Sequence, residues 1–165
     1  MAEFPGKGKV AILRTQPETV VDDVREVMRL AGYQDALPKE QDTILKINIS
    51  WDTWYPACSS APWQIEGVIQ ELQAAGYPRL IAGHNDTVVV DARAGEINNK
   101  HKYVTDKYGI ENWHLYEPQF EWVRYEPKEP LLVLDRVYPE GIYVPQCFYG
   151  RNIIQLPTVK THVFT

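Results

Sequence analysis

Short apolar runs alternate with amphipathic helical stripes through the first half of this chain, and that alternation restricts the fold more than any other feature. Lys9-Val10-Ala11-Ile12-Leu13 reads as a first strand, short and apolar as inner parallel strands are. Thr15-Gln16-Pro17-Glu18 fits a capping box, with Pro17 tolerated in the first helical turn. Val20, Val24, Val27, Met28 and Ala31 then recur at helical spacing, and Gly32 closes the helix. A second strand is expected over 42–49. A second helix follows, with Pro62 near its start, a stripe of Ile65, Val68, Ile69, Leu72 and Ala75, and Gly76 at its end. Ser59 or Ser60 is the expected N-cap of that helix. Residues 79–83 supply a third strand. A β-α-β-α-β order implies a parallel sheet with right-handed crossovers.

The second half is less regular. Residues 91–108 carry a weaker helical pattern. From 111 to 150, Trp113-His114-Leu115-Tyr116, Glu121-Trp122-Val123-Arg124-Tyr125 and Leu131-Leu132-Val133-Leu134 read as short strands, punctuated by Pro118, Pro127, Pro130 and Pro139. That stretch is expected to be an aromatic-rich, antiparallel insertion. Ile153-Ile154-Gln155-Leu156 then returns as a strand ending in Leu-Pro. The expected fold is an α/β three-layer sandwich, a single domain over 1–165 with a mostly parallel sheet and a short antiparallel insertion.

Composition narrows the partners. With a formal net charge of −5 over 165 residues, the chain lacks the basic footprint that phosphate backbones require, so no nucleic acid is expected. No apolar run approaches the roughly 18 residues of a membrane span, so no membrane partner is expected either. The first residues lack a signal-peptide pattern, which points to the cytoplasm. Cys58 and Cys147 are two lone thiols without a C-x-x-C, and a cysteine-held zinc or iron–sulfur site is disfavoured. No G-x-G-x-x-G and no P-loop is present.

Polar groups follow three of the apolar runs. Period-two alternation puts Ile44, Lys46 and Asn48 on one face of the second strand and Leu45, Ile47 and Ile49 on the other. Lys46 and Asn48 therefore stand at the carboxyl end of a strand that is otherwise apolar. An ammonium there needs a partner or a solvated crevice. His84-Asn85-Asp86 follows the third strand, and Lys160-Thr161-His162 follows the last. Ligands bind at the carboxyl ends of the strands in open α/β sheets. The expected site therefore comprises Lys46, Asn48, Ser59, Ser60, His84 and Thr161 as ligand-binding groups for a small anionic or carbonyl compound. Lys160 is the electrostatic stabiliser and His162 the acid–base group. Catalysis competes here with a non-catalytic module that binds a small ligand or a redox partner. His84 and His162, with Asp86, are conceivable metal ligands, but no two histidines have ligand spacing, so no metal and no cofactor is assigned. Glu71, Glu96 and Glu111 carry no local signature and read as solvated.

Leu45-Lys46-Ile47-Asn48, then Ser59-Ser60-Ala61-Pro62 before a helix ending in Ala75-Gly76, then Leu156-Pro157-Thr158-Val159-Lys160-Thr161-His162, resembles the family called domain of unknown function 362. The Leu-Pro-x-x-Lys-Thr-His segment is its most specific part. The resemblance spans residues 9 to 165 and implies an N-terminal portion of a longer protein. The family has no settled activity; some members are iron–sulfur proteins with ferredoxin-type cysteine clusters, which this chain does not carry.

Overall fold

The computed structural model describes residues 6–161. In chain order its elements are α1 (Val20–Leu30), α2 (Tyr33–Ala36), β1 (Thr43–Ile47), α3 (Pro62–Ala74), β2 (Leu80–His84), α4 (Ala92–Asn98), α5 (His101–Lys107), β3 (Glu111–His114), β4 (Trp122–Arg124), α6 (Leu134–Val137), β5 (Tyr143–Pro145) and β6 (Asn152–Leu156). Four strands form a parallel sheet in the order β3-β2-β1-β6, and β4 pairs antiparallel with β5 in a separate two-stranded sheet. The fold is α/β, with a parallel sheet, surrounding helices and a small antiparallel element.

Parallel pairing sends register partners to the same face. Leu45 pairs with Ala82 and Ile154, and Ile47 with Leu156. These side chains pack with Ile65, Val68, Ile69 and Leu72 of α3 in one apolar core. Burying such side chains supplies about 1.5–3 kcal/mol each, which is what holds α3 on the sheet. Helix α1 lies on the outside of α3, and Gly67 sets their approach: a Cβ there would stand 2.7 Å from the Val21 carbonyl oxygen. Glu71 of α3 is buried rather than solvated. Its carboxylate accepts from Tyr33 (3.0 Å), Arg29 (2.9 Å) and Arg25 (3.4 Å), partners contributed by α1 and α2. Glu111 is exposed and pairs with Arg79 at 2.6 Å.

The opposite face carries Ile44, Ile81 and Leu115, all fully buried. A Cβ on Gly83 would lie 3.3 Å from Ile44 and 3.5 Å from Leu115, so glycine lets these side chains close over β2. Trp113 pairs with Gly83 and shares this face. The guanidinium groups of Arg79 and Arg151 stand 5.7 and 5.6 Å from its ring centre. The Trp122 indole N–H donates to the Leu115 carbonyl at 2.9 Å and ties the antiparallel element to the end of β3.

Several local expectations change. Residues 9–13 form no strand, and Val10 and Ile12 are more than four-fifths exposed. Apolar alternation makes a strand only where a sheet edge receives its backbone, and neither β3 nor β6 pairs with this segment. Helix α1 starts at Val20, so residues 15–18 do not cap it. The N-cap of α3 is Ala61, without a side-chain hydrogen bond, because Ser59 and Ser60 are used elsewhere. The weak pattern over 91–108 is two helices, broken where Lys100 turns left-handed at φ 64°. Residues 111–114 join the parallel sheet, and residues 131–134 form no strand but lead into α6.

Candidate functional site at the carboxyl edge of the sheet

Adjacent strands β1 and β6 bring Lys46, Asn48, Ser59, Ser60 and Lys160 to one edge. The hydroxyl of Ser60 accepts from the Asn48 backbone N–H at 2.9 Å and donates to the Leu156 carbonyl, clamping the end of β1 to the end of β6. The Asn48 side-chain amide donates to the Ser50 hydroxyl at 2.8 Å, and the Ser50 N–H donates to Ser59 Oγ at 3.1 Å. Thr158 donates to the Ser59 carbonyl at 3.0 Å. Lys160 Nζ donates to Ser50 Oγ at 3.1 Å and to the Cys58 carbonyl. Serine hydroxyls both accept and donate, which is why two of them can cross-link three segments of backbone. Thr161 is exposed, and His162 lies outside the described residues.

Lys46 is half-buried between its register partners Gly83 and Gln155. Its ammonium donates to the Ile47 carbonyl at 3.2 Å and has no carboxylate partner among the described residues. Burial pushes its pKa below the ordinary lysine value.

His84 falls on the other face of the sheet. It ends β2, pairs in register with His114 at the end of β3, and the two rings stand 4.9 Å apart. Between them sits Glu96 of α4, with Oε2 2.8 Å from His114 Nε2 and 3.4 Å from His84 Nε2. Burial works to raise the Glu96 carboxyl, but hydrogen bonding and charge from the two imidazoles outweigh it and hold its pKa at about 2. The outer ring nitrogens also have acceptors nearby: the Asn85 carbonyl is 3.4 Å from His84 Nδ1, and Glu117 Oε1 is 3.5 Å from His114 Nδ1. His101 is fully buried and donates from Nε2 to the Ser60 carbonyl at 2.7 Å. Burial pushes its imidazole pKa down, and His84 adds to that.

Helix α4 reaches this position through two local devices. The Asp91 side chain caps its start by accepting from the Arg93 and Ala94 backbone N–H groups at 3.0 Å each. Gly95 then allows the helix against the end of β1, since a Cβ there would stand 2.5 Å from Ile49 Cγ2. Glu96, read as solvated from its surroundings in the chain, is thereby buried between two histidines. His114, which shares no spacing with His84, meets it through strand register. The signal in the chain is slight: Asp91 at a cap position and a glycine just ahead of Glu96.

Fold and edge together define an α/β protein with a parallel sheet whose carboxyl end carries the Ser59–Ser60 network and, on the face opposite Lys46, the His84–Glu96–His114 cluster. No family model matches the chain, and no curated protein or solved structure matches it. No helix among the described residues is long and apolar enough to cross a membrane.

Proposed function

We propose that this chain is the ligand-binding portion of an enzyme that takes a small anionic or carbonyl compound at the carboxyl edge of β1 and β6. The observation that carries the reading is Lys46. An ammonium has three donors, and this one is half-buried on a single backbone carbonyl, without a counter-charge among the described residues. A bound carboxylate, phosphate or polarised carbonyl would complete it. Lys160 brings a second positive charge to the end of the neighbouring strand, and Asn48 adds an amide beside it. In this reading Lys46 and Asn48 bind, Lys160 stabilises developing negative charge, and His162 exchanges the proton. The resemblance to the domain of unknown function 362 family supports the same three segments. It also implies a link to iron–sulfur or redox chemistry.

Thermal shift and calorimetry with phosphate and pyruvate test the reading at constant ionic strength. The wild-type chain should show a saturable rise in Tm that Lys46→Met removes and Lys160→Met weakens. If neither anion raises Tm, or if Lys46→Met keeps the full response, the edge does not bind anions. Saturable binding without chemical change of the bound compound would favour the non-catalytic module.

A further inference from the structure

We propose that His84, Glu96 and His114 form a binding site for a first-row divalent transition-metal ion, of zinc type, with a coordination position left for water or ligand. One ligand atom from each residue lies within 4.8 Å of the other two. Zinc holds imidazole nitrogen and carboxylate oxygen at about 2.0–2.2 Å, so donors at tetrahedral angles stand roughly 3.4 Å apart. Of the two spacings to Glu96 Oε2, the 3.4 Å to His84 matches that value and the 2.8 Å to His114 is shorter. The two imidazole ligand atoms lie within 4.8 Å of each other.

Three features separate this cluster from a carboxylate that merely links two histidines. The ligands sit on elements held from behind. His84 and His114 end paired strands and leave the same face, and Glu96 follows the close contact of Gly95. The outer nitrogens have oxygens nearby. When Nε2 binds a metal the ring carries its proton on Nδ1, and oxygens that could accept it stand 3.4 Å away at the Asn85 carbonyl and 3.5 Å away at Glu117 Oε1, which also pairs with Arg93. Burial is graded, too: the His84 and Glu96 side chains are 1% and 6% exposed and that of His114 15%, so His114 is the ligand nearest solvent. Two imidazoles and one carboxylate favour zinc, cobalt, iron or nickel over magnesium or calcium. Three protein ligands rather than four characterise a site that activates water or polarises a bound oxygen.

The test uses the chain stripped with a chelator and dialysed against Co2+ and Zn2+, read by metal content, by the visible ligand-field bands of bound Co2+ and by Tm. The expected result is one ion per chain, visible bands of a low-coordinate cobalt site, and a Tm that rises with free metal. His114→Ala and Glu96→Gln should each abolish the bands while circular dichroism stays wild-type. Glu117→Gln, which leaves the ligands intact, should weaken zinc by about 10- to 100-fold. Absence of stoichiometric metal in the wild-type chain overturns the proposal, as does wild-type affinity in either ligand variant. Should the ligand variants fail to fold, unchanged zinc affinity in Glu117→Gln overturns it instead. Lys46→Met should leave the Co2+ bands unaltered, so the metal site and the anion edge stand or fall separately.

Discussion

Gly95→Ala puts the positioning of Glu96 to a quantitative test. Helix propensity alone predicts stabilisation by about 1 kcal/mol, because alanine replaces glycine within α4. The packing predicts the reverse. The new Cβ would stand 2.5 Å from Ile49 Cγ2, with the Trp51 carbonyl oxygen at 3.3 Å and the Asp52 Cα at 3.5 Å. Ile49 is 4% exposed and β-branched, so its methyl cannot swing away without leaving its rotamer. Overpacking of this kind costs about 1–3 kcal/mol, and here the upper part applies because backbone stands beside the methyl. Setting about 2–3 kcal/mol against a gain of about 1 leaves a net loss of about 1–2 kcal/mol. For a chain of this size, that lowers Tm by about 2–8 °C. Urea and thermal unfolding followed by circular dichroism measure it. A double-mutant cycle with Ile49→Ala, which deletes the obstructing methyl, should recover part of the loss as a coupling between the two sites. A Tm that rises in Gly95→Ala would show that α4 is free to back away from β1. The close contact would then not be what holds Glu96 between the histidines.

Two further outcomes follow from the other face. Ser60→Ala should destabilise by about 1–3 kcal/mol, because the Asn48 N–H loses its acceptor and the Leu156 carbonyl its donor at a buried position. Urea denaturation reads this loss, and a change below a few tenths of a kcal/mol would show that water replaces the hydroxyl. For Lys46, burial lowers the folded pKa below that of the unfolded chain, so the unfolded state holds more protons in the window between the two values. Stability therefore rises with pH through that window up to the ordinary lysine range. The stability of wild type relative to Lys46→Met should accordingly increase between pH 7 and pH 10. A difference that stays flat would mean the ammonium is solvated.

Much of the parallel sheet is legible in the chain because its determinants are local. The alternation over 42–49 assigns Leu45 and Ile47 to one face and Ile44 and Lys46 to the other, and the register of β1 with β2 and β6 bears that out. The stripe of α3 is likewise its buried face. Residues 9–13 fail for a reason outside themselves: a strand needs a receiving edge, and no property of Val10 or Ile12 reports whether one exists. Ser59 and Ser60 fail as caps because two hydroxyls meet competing demands. The backbone groups of Asn48, Ser50 and Leu156, brought near by folding, take them before the helix start does. His114 and Glu96 could not be paired with His84 by spacing, since register and a helix contact bring them together across 30 residues of chain.

The two clusters at the carboxyl edge follow from one register. Lys46 is level with Gly83, so the residue after Gly83 necessarily emerges on the opposite face, and that residue is His84. The sheet thus separates a cationic group without a counter-charge among the described residues from a carboxylate shared by two imidazoles. The separation is incomplete at Ser60. Its hydroxyl joins Asn48 to Leu156 beside the lysines, while its carbonyl accepts from His101, whose titration feels both His84 and Glu96. A ligand that shifts the Ser59–Ser60 turn would therefore move His101 relative to the His84–Glu96–His114 cluster. In the proposed reading an anion at Lys46 and an ion at the histidines would bind on opposite faces, and Ser60, through its hydrogen bond with His101, is where the two sides meet.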